Sequence, residues 1–137
     1  AGFMRQINRR QNMIDFQNGS FVKLKPVDPA GIVQLIQPML IQGEQIISSF
    51  QGIRDSVTFT NMRIIAVNVQ GLTGKKRDFT SLPYSKIQAY SIESAGVFDM
   101  DSELELYFSG LGKVTFEFVG NANVTAICQM ISSYVLR

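Results

Sequence analysis

The stretch QGLTGKKRDF, residues 70–79, sets two glycines ahead of three consecutive cations, Lys75, Lys76 and Arg77. These are residue types that can hold a phosphate. A loop of the GxxxxGK kind needs four residues between its glycines and a helix after the lysine, so that backbone N–H groups converge on the anion. Here two residues separate Gly71 from Gly74, and the residues after Lys75 read as a strand. Nucleotide binding is set aside on spacing. There remains a cationic hairpin tip, a candidate loop for an anionic partner and, with only three cations, for weak and reversible contact with an anionic membrane.

Other reactive side chains are sparse. FDMDSE places Asp99, Asp101 and Glu103 at alternate positions, as in the first half of a calcium loop. The glycine position of such a loop falls on Leu104, however, and its closing glutamate on Gly110. The chain has no histidine, which removes the commonest general base and metal ligand. Cys128 lies on an apolar stripe and reads as a small hydrophobe. In TNMR, Thr60 and Arg63 flank a turn for which Asn61 is suited, and the planar fork of Arg63 could also take a carboxylate or phosphate. No catalytic set, cofactor site or metal site is assigned from these residues, and the chain is read as a non-enzyme.

The elements that carry these residues emerge from periodicity. At 137 residues, 45% hydrophobic and 18% charged, the chain is one domain able to bury a core. A net charge of +2 creates no basic field of the kind nucleic acid would require, so no nucleic-acid partner is expected. One cysteine permits no internal disulfide, and no run approaches the length of a membrane-spanning helix. A cytoplasmic location, extending to a membrane periphery, is the expectation.

A small hairpin turning at Asn18 and Gly19 is read in the N-terminal segment. A helix begins after Asp28 and Pro29, with Ile32, Leu35, Ile36, Met39 and Leu40 at helical spacing and Pro38 as its kink or stop. From Glu44 the period becomes two, giving seven strands near residues 45–53, 56–60, 63–69, 78–82, 85–93, 103–109 and 113–119. A closing helix over 121–136, capped by Asn121 or Asn123, should bury Val124, Ile127 and Ile131.

Residues 53–110 carry TFTNMRIIAV, QGLTGKK, SLPYSKI and ESAG followed by FDMDSELEL, and in these motifs the chain resembles the bacterial pleckstrin-homology (PH-like) domain family, formerly a domain of unknown function. With its flanking helices the resemblance covers residues 28–137, leaving 1–27 as an N-terminal extension. It implies a mainly β fold with α: a seven-stranded, antiparallel, partly open barrel capped by a C-terminal helix, with an additional N-terminal helix. It also implies ring-like homo-oligomers. Eukaryotic phosphoinositide-binding relatives carry several basic residues between their first two strands, whereas this chain has GIRDS, with Arg54 beside Asp55. That departure argues against specific phosphoinositide recognition.

The strands themselves raise the question of assembly. In RIIAVNV, Ile65, Val67 and Val69 suit a barrel interior, which leaves Ile64 and Ala66 facing outward. In YSKIQAYSIE, Ile87 and Ala89 share one face, and Tyr84, Tyr90 and Ile92 the other. Either the N-terminal helix or another subunit must cover the outer residues. Ile64, Tyr84, Tyr90 and Ile92 are therefore the candidate interface. Phe59, Phe108, Phe116 and Phe118 are expected to fill the interior rather than leave room for a ligand. The expected function is a homo-oligomerising scaffold or interaction module taking peptide, protein or its own copies, assembled as a cyclic homo-oligomer. The alternative is a peripheral membrane adaptor working through the basic hairpin.

Overall fold

The computed structural model describes residues 21–70, 76–94, 101–120 and 122–137. The chain order is β1 (Lys25–Val27), α1 (Ala30–Ile36), a 3-10 turn (Gln37–Met39), β2 (Ile46–Gln51), β3 (Asp55–Thr60), β4 (Arg63–Gln70), β5 (Lys76–Pro83), a second 3-10 turn (Tyr84–Lys86), β6 (Ile87–Ser94), β7 (Ser102–Phe108), β8 (Gly112–Phe118) and α2 (Val124–Val135). The seven expected strands are β2 to β8, and β1 is an eighth. They form two antiparallel sheets, β1-β2-β3-β4-β5 and β6-β7-β8. Among the described residues β5 and β6 do not pair, so the barrel stays open on that side. The hairpin read at Asn18 and Gly19 lies outside the described residues.

The other side is closed by the segment just before β1. Leu24 bridges to Phe118 in parallel. Its N–H donates to the Glu117 carbonyl at 2.9 Å, and its carbonyl accepts from Val119 N–H at 3.0 Å. One residue later the chain becomes β1 and pairs with β2, Lys25 opposite Gln51. Residues 21–27 thereby tie the two sheets together. Phe21 and Leu24 are wholly buried, and Phe21 meets Phe116 edge-on at 5.4 Å. Phe21 and Lys23 have φ of 64° and 54°, a left-handed conformation that opposes ordinary side chains and is held here by packing and the hydrogen bonds to β8. Residues 21–27, read as the end of an N-terminal extension, pack against both sheets.

The main core lies between the sheets and is filled by Phe59, Phe116 and Phe118 with Leu104, Leu106, Val114 and others. Phe108 joins them, so the interior has aromatic side chains where a carrier would have a cavity. On the outer face of the five-stranded sheet a second cluster forms, in which Ile32 and Ile36 of α1 cover Ile65 and Val67 of β4. The expected faces of β4 are thus reversed. Ile64 and Ala66 point into the main core, opposite Phe59 and Val57 in register, and Ile65 and Val67 point outward under the helix. Alternation separates the two sets but cannot say which is inside when both are buried.

In β6 a bulge between Ile87 and Ala89 shifts the parity. Ile87 consequently shares the inner face with Tyr90 and Ile92, and Ala89 is exposed, which corrects the expected grouping.

Both helices arise from local signals. The Asp28 carboxylate accepts from Ala30 N–H at 3.0 Å, and Pro38 sits in the 3-10 turn that ends α1. Asn123 caps α2 by accepting from Ala126 N–H at 3.1 Å. Ile127 and Ile131 are buried beneath the helix, whereas Val124 in its first turn, expected to be buried, is half-buried against the main core.

Candidate functional site

The TNMR turn is a structural clamp. Arg63 Nε donates to Glu44 Oε2 and Nη2 to Oε1, both at 2.9 Å, while Nη2 also reaches the Met39 carbonyl and Nη1 the Ser81 hydroxyl. Thr60 Oγ1 donates to Glu44 Oε2 at 2.7 Å, and Ile41 N–H donates to Oε1 at 3.1 Å. Burial alone would push the Glu44 carboxyl up, but Arg63, Thr60 and the Ile41 N–H outweigh it and hold the group below its ordinary 4.5. Beside it, Asn61 accepts from Gln45 N–H at 2.8 Å and donates to the Gly43 carbonyl at 3.0 Å. The fork of Arg63 is thus occupied by the chain's own carboxylate and holds residues 39–45 against the β3–β4 turn. Nothing in the sequence pairs Glu44 with a residue 19 positions away.

The candidate interface does not form one surface. Ile64 is 0% exposed and Tyr84 is 3% exposed, so both are interior residues, contrary to expectation. The Tyr84 hydroxyl donates to the Thr60 carbonyl at 2.7 Å, and its ring stacks on Tyr134 at 4.7 Å. Burial drives its phenol pKa strongly up. Tyr90 and Ile92 are half-buried against the core, and the Tyr90 hydroxyl bonds the Ser132 hydroxyl at 2.7 Å.

Lys75 lies outside the described residues, as does Asp99. Lys76 and Arg77 open β5 with exposed side chains, and Asp101 is exposed ahead of β7. One acidic grouping occurs among the described residues, Glu93, Glu103 and Glu105, with carboxylate oxygens within 4.8 Å of one another. Glu105 pairs with Lys113 at 3.1 Å, which raises the Lys113 pKa chiefly through that hydrogen bond. Cys128 is half-buried on α2.

Three features escaped sequence reasoning. The first is a groove of about 510 Å³ on the outer face, between α1 and the sheet, with Ile32, Leu35, Val67 and Val69 on its apolar side and Arg54 and Arg77 at its wall. The second is Ile53, 94% exposed in the β2–β3 turn. An isoleucine in a turn, where polar residues and glycine prevail, was the available signal. The third is the approach of the N-terminal segment to that turn: a Cβ added at Gly52 would lie 3.0 Å from the Val22 carbonyl. No local signal marks it.

Two layers of antiparallel strands closed by a C-terminal helix define a PH-like domain. Residues 15–135 match the bacterial PH domain family, and the chain belongs to it. It is similar to the uncharacterised protein YjqA of Bacillus subtilis, with 34% identity over 86% of this chain and 96% of that protein. Among solved structures, it resembles a DUF1696-family protein with a pleckstrin-homology domain from Shewanella loihica PV-4, with 34% identity, coverage of 82% of this chain and 97% of the other, and a TM-score of 0.73. A pleckstrin-homology domain from Shewanella amazonensis SB2B matches 99% of this chain and 100% of its own at 31% identity and a TM-score of 0.63. No helix among the described residues is long and apolar enough to cross a membrane.

Proposed function

We propose that this PH-like domain is a non-catalytic, intracellular interaction module that assembles with copies of itself into a cyclic homo-oligomer through the free edge of β6. The observation that carries the reading is the character of that edge. β6 is eight residues long and, among the described strands, pairs with β7 alone. Its sequence, IQAYSIES, has neither lysine nor proline. Edge strands left unprotected in this way add strands from other chains. The chain's other free edges differ: β1 has three residues and contains Pro26, and β5 begins with Lys76 and Arg77 and ends with Pro83. β6 carries a bulge at its start and Glu93 near its end, so that residues 89–92 are the least protected stretch of edge among the described strands. The lone cysteine suits a reducing compartment.

Assembly through the edge makes the backbone amides of β6 the reporters. Hydrogen exchange measured at high and low protein concentration should show outward amides of residues 87–93 protected when concentrated and exchanging on dilution. Protection of β6 that does not change with concentration, alongside an unchanged monomer mass, would remove the reading.

A further inference from the structure

Independently of self-assembly, the groove of about 510 Å³ beside α1 has the make-up of a small-molecule site. Val67 and Val69 of β4 form its floor, and Ile32 and Leu35 of α1 its wall. Its volume falls within the range of such sites, roughly 300 to 1,000 Å³. Ser56 stands opposite Val67 in register, so the two share the face that the groove covers. Ser56 is 5% exposed, and among the described residues its hydroxyl has no hydrogen-bond partner, yet it is not sealed off. Its remaining access is through the groove that it lines, and a hydroxyl so placed is costly to leave unbonded. Gly31 also lines the groove, from within α1, although glycine is a poorer helix former than alanine. Beyond its own helix and chain neighbours, no atom lies within 4 Å of the place its Cβ would take. Packing within the chain therefore does not demand glycine there; what it leaves is bare helix backbone that another molecule can approach closely.

We propose that this groove binds a small, uncharged, mainly apolar molecule carrying one hydroxyl or carbonyl group. Its apolar body lies on Ile32, Leu35, Val67 and Val69, and its polar group bonds the Ser56 hydroxyl. Charge decides the class of ligand. Arg54 and Arg77 line the groove, and so do Asp28 and Asp55, so the charges of the lining cancel and favour neither an anion nor a cation. An ion would lose hydration on the apolar floor without a surplus of opposite charge to replace it. A neutral molecule has no such loss: burial of its body supplies affinity, and the one hydroxyl fixes its orientation.

The test is titration of the isotope-labelled full chain with octanol, followed through its amide NMR shifts, with octanoate and octylammonium as charged counterparts of the same length. Saturable shifts should cluster on α1 and β4, and each ion should bind about tenfold more weakly than the alcohol. Gly31→Leu, which places a side chain in the groove, should abolish the shifts. Ser56→Ala should weaken binding by roughly fivefold through loss of one hydrogen bond. Unchanged amide positions away from the groove, with an unchanged thermal melt, verify that both variants fold. No saturable shift up to the solubility limit of the alcohol overturns the proposal, as does octanol binding that Gly31→Leu leaves intact. Octanoate or octylammonium binding more tightly than octanol overturns it as well, since the groove would then select an ion.

Discussion

Arg63 and Glu44, 19 residues apart in sequence, are joined by two parallel hydrogen bonds of 2.9 Å, with the Glu44 side chain fully enclosed and that of Arg63 20% exposed. A bidentate pair with one partner buried depends on both members, because removing one leaves an uncompensated charge. Arg63→Ala should therefore cost about 3 kcal/mol, the low end of the range for breaking a buried pair, since Arg63 keeps some solvent contact. Arg63→Lys should recover only part of it, because a lysine cannot reproduce the fork. Urea unfolding of the three proteins measures both values. A loss below about 0.5 kcal/mol for the alanine variant would show that the clamp is not a stabilising element.

The same pair sets a dependence on acid. The Glu44 carboxyl is held below its ordinary 4.5 in the folded chain, so the unfolded chain binds the proton more readily. The stabilisation is complete above the unfolded value of 4.5 and is lost as pH falls through the lower folded value. Glu44→Gln should flatten the dependence of stability on pH below that point. Thermal melts from neutral pH into the acid range compare the slopes, and an unchanged slope would remove Glu44 as its source.

Ile127 and Ile131 anchor α2 over the main core. Ile127→Ala should cost about 2 to 5 kcal/mol through lost burial and the cavity left behind, measured by denaturant unfolding. Thr125→Ala, on an exposed position of the same helix, should change stability by less than about 0.5 kcal/mol. Equal effects from the two would mean that the helix is not docked by its apolar stripe.

These sites also show what periodicity can reveal. β7 and β8 were legible because each has one buried and one polar face: Leu104, Leu106 and Phe108 alternate with acids and Tyr107, and Val114, Phe116 and Phe118 with Lys113, Thr115 and Glu117. The stripe and asparagine cap of α2 were equally plain. In β4 both faces are apolar because the core covers one and α1 the other, so Ile64 was placed outside. In β6 a single bulged residue inverted the parity that assigned Ile87 and Ala89 to one face. The contacts that join distant segments left no local trace: Phe21 on Phe116, Arg63 on Glu44, and Val22 against Gly52. The motifs of residues 53–110 carried the family, but the groove under α1 depends on pairings that only the fold supplies.

The central claim, self-assembly through β6, is tested most directly by static light scattering of the wild-type chain and of Ala89→Lys with Ser91→Lys, two exposed positions of that strand. Lysines on an edge strand oppose the approach of a second strand while leaving the core untouched. At micromolar concentration the wild type should give a multiple of 15.3 kDa and the variant a folded monomer. A wild-type mass of 15.3 kDa that does not change on tenfold concentration, or a variant that keeps the wild-type multiple, would contradict the account.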